Sequence, residues 1–295
     1  MSITRVGVLG CGLMGSGIAQ TAAAAGFSTV ARDVAEPLLE KGRAGILKSL
    51  GKLVEKGKLD QKNRDAAVGR LTFTTDLAAL RDCDIVIEAV TEDLDLKNNL
   101  WRELDRLCPP STIFASNTSS LTIAAMAAST TRPDRFVGLH FFNPVPLMPL
   151  VEVVRTVTTS RETFDRAYAF ARDLGKEPVT ATDSPGFIVN LLLVPYLLDA
   201  ARALERGVAT TADLDRAMQL GAGHPMGPLT LLDYIGLDTV VRIAEIMFDA
   251  YREPRYAAPP LLQRMVIAGF HGRKNGRGFY DYSVDPPVPT ELGLG

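Results

Sequence analysis

The chain holds 295 residues, 46% hydrophobic and 22% charged, a composition that supports a large buried core and excludes intrinsic disorder. With 32 basic against 34 acidic side chains the net charge is −2, which supplies no global field for gripping nucleic acid or an anionic membrane. The longest apolar stretch, residues 187–198, is interrupted by Asn190 and Pro195 and is too short to span a bilayer. Three cysteines without a C-x-x-C pair suit a reducing compartment, and the start Met1-Ser2-Ile3-Thr4-Arg5 lacks the features of an export signal, so a soluble cytoplasmic protein is expected.

Along the first half, short β-branched runs alternate with helical patterns, which predicts a doubly wound α/β sheet. Residues 5–9 form the first expected strand, 15–25 a helix closed by Gly26, and 28–31 a second strand ending at Arg32-Asp33. A long helical insertion at about 36–68 exceeds what a crossover needs and is expected to project as a helical hairpin. Further strands are expected at 71–74, 85–90, 112–116, 136–142, 151–157 and 179–181, with amphipathic helices at 94–107 and 161–174. After Asp183-Ser184-Pro185-Gly186, which reads equally as a hinge or an ordinary turn, only helical patterns follow, at 187–205, 211–220, 228–250 and 260–268. The expectation is therefore a Rossmann-like domain over 1–184 and an all-α domain over 185–295, ending in a loosely held tail at 285–295.

Between the first strand and its helix lies Gly10-Cys11-Gly12-Leu13-Met14-Gly15, a G-x-G-x-x-G pattern in the context its mechanism requires. Gly10 permits the tight turn, Gly12 lets the backbone approach a pyrophosphate, and Gly15 lets helix and strand pack closely. Asp33 follows Gly15 by 18 residues, at the end of the second strand, where its carboxylate can accept ribose hydroxyls and repel a 2′-phosphate. NAD is thus expected over NADP, with Arg32 as a neighbour that softens the repulsion.

A titratable ring, His140, interrupts the apolar run 136–142, and reads either as a satisfied core histidine or as a catalytic group. Glu152 stands in an equally apolar run, and a reversal near Pro146 would set positions 140 and 152 opposite each other. Such a carboxylate would orient one ring nitrogen and stabilise the imidazolium, while burial would act on the ring in the opposite sense. Ser119, after the strand at 112–116, reads equally as a helix N-cap or a substrate contact, and Asn190 places an amide in an apolar helix where a substrate carbonyl could be its partner.

Taken together, Gly10–Gly15, Asn117-Thr118-Ser119-Ser120, the run 138–146, Asp183–Asn190, His224-Pro225-Met226-Gly227-Pro228 and Gly276-Arg277-Gly278-Phe279-Tyr280 resemble 3-hydroxyacyl-CoA dehydrogenases, in particular the single-function 3-hydroxybutyryl-CoA type. The resemblance runs from about residue 5 to residue 282. It implies hydride transfer between NAD(H) and short-chain (S)-3-hydroxyacyl-CoA or 3-ketoacyl-CoA in fatty-acid β-oxidation chemistry. His140 is then the general base, Glu152 its orienting partner, and Ser119 and Asn190 hold the substrate 3-oxygen. Implied cofactor contacts are Leu13 and Met14 beside the three glycines and Asp33, and, further along, Glu92, Lys97, Asn117, Ser119 and Asn143. The helical domain is implied to form a homodimer and to close over the cleft. Two positions depart from the pattern: Gly223 stands where asparagine is frequent, and Leu191 where a basic residue is common.

Lys48, Lys52 and Lys56 recur every fourth residue and line one helix face. Bare, such a stripe is a solvated surface; the resemblance makes Lys52 and Lys56 candidate contacts for CoA phosphates. His224 and His271 lie in Gly-containing loops without metal-ligand spacing, so no metal is expected, and Trp101 reads as core. Two rival readings keep the fold: a dehydrogenase of a free 3-hydroxy acid, as in related gulonate or carnitine enzymes, and a non-catalytic dinucleotide-binding or structural protein.

Overall fold

The computed structural model describes residues 3–293; the opening dipeptide and the last two positions of the expected loose tail lie outside the described residues. The chain divides into two compact units, Met1–Phe187 and Ile188–Gly295. Among the described residues no helix is long and apolar enough to cross a membrane.

The first unit is an eight-stranded sheet built from β1 (Arg5–Leu9), β2 (Ser28–Arg32), β3 (Leu71–Thr74), β4 (Ile85–Glu88), β5 (Ile113–Ser116), β6 (Phe136–Phe141), β7 (Leu150–Arg155) and β8 (Glu177–Thr182). The order is β3-β2-β1-β4-β5-β6-β7-β8, and every pairing is parallel except β6 with β7. Central strands such as Val6–Leu9 and Ile85–Glu88 are buried throughout because helices cover both faces, which explains their continuous rather than alternating apolar character. On one face Val6, Val8, Ile85 and Ile87 pack with Ile18 of α1 (Leu13–Ala24) and Phe170 of α6 (Arg161–Asp173). On the other, Trp101 of α4 (Leu94–Leu107) sits between Phe114 and Phe136, ring centroids 5.0 and 4.8 Å away, so its core assignment holds.

The insertion forms the expected helix pair, α2 (Glu36–Glu55) and α3 (Gln61–Gly69), but it does not project along its whole length: Leu39, Ile46, Leu50 and Ala67 join the core beneath α1. A short helix not anticipated from the sequence, α5 (Ile123–Ala127), follows β5. Its first two amides donate to the Asp183 carboxylate at 2.9 and 2.7 Å, a cap supplied from sixty residues away.

The second unit comprises α7 (Val189–Glu205), α8 (Thr211–Ala222), α9 (Pro228–Ile235), α10 (Leu237–Tyr251) and α11 (Pro260–Ile267) around Leu197, Leu232, Ala244 and Phe279. The helix expected to begin at 187 starts two residues later, since Phe187 adopts φ +48° and cannot enter it. The single helix expected over 228–250 is two, broken where Gly236 takes φ +103°. Nor is the unit wholly helical: β9 (Tyr280–Asp281) pairs antiparallel with β10 (Val288–Pro289), and Thr290 N–H donates to the Phe279 carbonyl, so this part of the tail is tied down.

Candidate active site

The parallel order brings the carboxyl ends of β1, β2, β4, β5 and β6 to one edge, and the antiparallel β7 begins there. At this edge the glycine turn follows β1. Gly10 holds φ +90°, a Cβ on Gly15 would collide with the Gly10 carbonyl oxygen, and a Cβ on Gly12 would meet nothing within 4 Å. Gly12 is also the N-cap of α1 and gives it no side-chain cap, so the amides of Leu13 and Met14 begin the helix without one. Asp33, at the end of β2, accepts from Cys11 N–H at 2.6 Å and Val34 N–H at 2.7 Å, which aims its carboxylate at the turn. Arg32 is engaged elsewhere, donating from Nε to the Thr75 carbonyl at 3.1 Å. An open backbone approach at Gly12, an uncapped helix start and a carboxylate beside them fit a dinucleotide without a 2′-phosphate.

Next along the edge is a buried ionic network. Lys97, 1% exposed, lies 2.5 Å from Glu88 Oε1 and 3.0 Å from Glu92 Oε2. Glu88 also accepts from Val90 N–H and, at 2.6 Å, from Ser116 Oγ. Glu92 accepts from Thr118 Oγ1 and from the Ser119 amide at 3.3 Å; burial raises its pKa, but the Lys97 charge and these hydrogen bonds outweigh that and hold it below the usual range. Glu88 was not anticipated; the signal was available, since an acid in Ile-Val-Ile-Glu carries the same warning as Glu152. Ser119 is not the cap of α5, whose N-cap is Thr122. Asn117 accepts from Phe141 N–H at 2.9 Å, linking the loop after β5 to the end of β6.

In the β6–β7 ladder His140 stands directly opposite Glu152, the register predicted from the reversal near Pro146. His140 Nδ1 donates to Glu152 Oε2 at 2.6 Å; Glu152 is fully buried, and the ring is 6% exposed between Phe142 and Phe187, at 4.5 and 5.6 Å. With Nδ1 committed, Nε2 is the nitrogen left to exchange a proton with a substrate. Asn143, two residues past β6, is exposed.

The remaining candidates lie apart from this cluster in the chain. Asn190 opens α7 and belongs to the second unit, followed by Leu191, which packs on that unit's core. Gly223 supplies the left-handed cap of α8 at φ +69°, a conformation that accounts for glycine there. His224 Nδ1 pairs with Tyr196 Oη at 3.1 Å beside an apolar concavity of about 500 Å³ lined by Ile188, Leu192 and Met226. Lys52 and Lys56, near the end of α2, are exposed and make no ion pair among the described residues.

A doubly wound sheet with a dinucleotide turn and an imidazole–carboxylate pair on the same edge defines an NAD-linked oxidoreductase. Residues 5–184 match the 3-hydroxyacyl-CoA dehydrogenase NAD binding domain, and residues 186–282 match the C-terminal domain of that family. The chain belongs to the 3-hydroxyacyl-CoA dehydrogenase family and is an NAD-dependent enzyme. It is 52% identical to a 3-hydroxybutyryl-CoA dehydrogenase of Mycobacterium tuberculosis over 95% of this chain and 99% of that protein. Human mitochondrial hydroxyacyl-coenzyme A dehydrogenase is 47% identical over 95% and 91% of the two chains. Among solved structures, (S)-3-hydroxybutyryl-CoA dehydrogenase PaaH1 of Ralstonia eutropha superposes with a TM-score of 0.93 at 43% identity, covering 96% of this chain and all of that one.

Proposed function

We propose that this enzyme interconverts short-chain (S)-3-hydroxyacyl-CoA and 3-ketoacyl-CoA, of the 3-hydroxybutyryl-CoA and acetoacetyl-CoA type, with His140 as the proton-exchanging group. The observation that carries the reading is the 2.6 Å His140–Glu152 pair on the same sheet edge as the open turn at Gly12. In alcohol oxidation Nε2 of His140 takes the hydroxyl proton as hydride leaves C3, and the Glu152 carboxylate keeps the ring oriented and balances the imidazolium. When bound, the nicotinamide supplies the hydride acceptor. Gly10, Gly12, Leu13, Met14 and Gly15 hold the pyrophosphate and Asp33 the ribose. Glu92, Lys97, Asn117 and Asn143 are assigned to the rest of the cofactor on the strength of their motifs and their common sheet edge.

Ser119 is assigned to the substrate 3-oxygen, supported by its place after β5, where Glu92 holds its amide. Asn190 shares that assignment through its motif alone, and exposed Lys52 and Lys56 are assigned to CoA phosphates. The first unit is the cofactor body and the second a helical substrate and homodimerisation domain, an assignment made through the family motifs. We infer a role in fatty-acid β-oxidation from this chemistry, and a cytoplasmic location, a reading supported by three buried free thiols that suit a reducing compartment.

The test is NADH oxidation on acetoacetyl-CoA, longer 3-ketoacyl-CoA esters and free acetoacetate, repeated with NADPH. The C4 thioester with NADH is expected to give the highest kcat/KM. Greater kcat/KM on the free acid would assign the enzyme to hydroxy acids, and no NADH consumption on any of them would remove the catalytic reading.

A further inference from the structure

Lys176 sits between α6 and β8, only 8% exposed, and makes no ion pair among the described residues. Its Nζ donates instead to two backbone carbonyls, Val145 at 2.5 Å and Met148 at 2.9 Å. Both belong to the connection from β6 to β7, the reversal that puts His140 opposite Glu152. Next to it, Glu177 N–H donates to the Pro149 carbonyl at 2.8 Å, so the start of β8 closes this connection at three carbonyls. The held segment is seated in turn on the cofactor turn's helix: Val145 is 2% exposed, and a Cβ on Gly17 of α1 would come within 2.9 Å of the Val145 Cβ.

A buried ammonium facing only carbonyls is costly, and burial lowers the pKa of Lys176 from its usual value. An apolar side chain of similar length would fill the same space without that cost, but would leave the two carbonyls without this donor. Lys176 therefore serves the shape of this connection more than the stability of the fold.

We infer that Lys176 is a positioning residue for the proton-exchanging pair: its ammonium locks the 142–149 reversal and thereby fixes the His140–Glu152 register against α1. In this role it acts through the Val145 and Met148 carbonyls and not on the reacting atoms. The inference rests on the proposed role of His140, and its test separates the two. In K176M, kcat for acetoacetyl-CoA reduction falls about 10- to 100-fold at a temperature where near-UV circular dichroism shows the variant folded, as expected for a displaced catalytic ring. The Kd for NADH, from its fluorescence, rises by a smaller factor than kcat falls, because Gly12 and Asp33 lie outside the reversal and only Asn143 of the assigned cofactor contacts lies within it.

K176R, which restores a cation able to donate to both carbonyls, recovers most of the lost rate. The NMR resonance of the His140 Nδ1 proton, visible without substrate, shifts or broadens in K176M and returns in K176R. That resonance reads the register even if acetoacetyl-CoA proves not to be a substrate, in which case only the proposed function falls. If K176M does not fold, K176Q takes its place in every reading. Unchanged kcat and an unchanged imidazole resonance with only a lower Tm would overturn the inference.

Discussion

Replacing Lys97 by methionine preserves side-chain length and apolar bulk while removing the single ammonium between Glu88 and Glu92. At separations of 2.5 and 3.0 Å the attraction to each carboxylate is about 6 kcal/mol at an effective dielectric constant of about 20. Desolvation of the three ions offsets much of it. Deletion of the cation, however, strands Glu88, which is fully buried and among the described residues keeps the Val90 amide and the Ser116 hydroxyl. Breaking a buried pair from one side costs about 3–5 kcal/mol. Urea unfolding followed by Trp101 fluorescence, which reports from the first unit's core, should show K97M less stable by that amount with an unchanged m-value. The double variant E88Q/K97M should recover part of the loss, since the stranded charge is gone. A loss below about 1 kcal/mol in K97M, or a double variant as unstable as the sum of the singles, would refute the reasoning.

The glycine turn offers a contrast between neighbours. G12A should leave stability within about 0.5 kcal/mol, its Cβ meeting no protein atom, yet weaken NADH binding, whereas G15A should damage both because its Cβ meets backbone; G12A binding NADH like wild type would remove the phosphate from that approach. Burial, aided by the Asp33 charge at Cys11, pushes the Cys11 and Cys108 thiols up from 9.0 to about 12, and burial pushes Cys83 up to about 11. Alkylation by iodoacetamide at pH 8 should therefore run about 100- to 1000-fold slower in the native protein than in urea, and equal rates would contradict this. Burial also raises Asp233 from 3.8 to about 6 against the hydrogen bonds from Phe279, Tyr280 and Tyr282. The folded chain then holds that proton more tightly than the unfolded one, so the group's contribution is fully present below pH 3.8 and is lost as pH rises to about 6, at most about 3 kcal/mol. D233N should lack this fall in a comparison of unfolding free energies between pH 4 and 7; identical slopes in both proteins would contradict the assignment.

Much of the first unit was legible because its signals are periodic and local. β1 and β3 fall on residues 5–9 and 71–74 and α4 on 94–107, where apolar runs and caps coincide. The His140–Glu152 juxtaposition was legible too, since two polar residues in adjacent apolar strands around a proline-rich reversal leave one sensible register. What escaped depends on partners distant in the chain. Asp183 caps α5, Asp215 caps α9 through the Leu229 and Thr230 amides, and Glu205 accepts from Leu261 at the start of α11. No local pattern around Ser119 announces that Asp183 takes the capping role. The break at Gly236 was hidden because apolar periodicity continues across it, and β9–β10 because each strand is two residues long.

The most direct measurement is single-turnover reduction of acetoacetyl-CoA by NADH in H140Q, with NADH affinity measured on the same preparation. Loss of the proton exchanger should slow the chemical step about 100- to 10,000-fold while NADH binds as in wild type. A chemical step as fast as wild type, with NADH bound normally, would show that the imidazole braced by Glu152 does not carry the reaction.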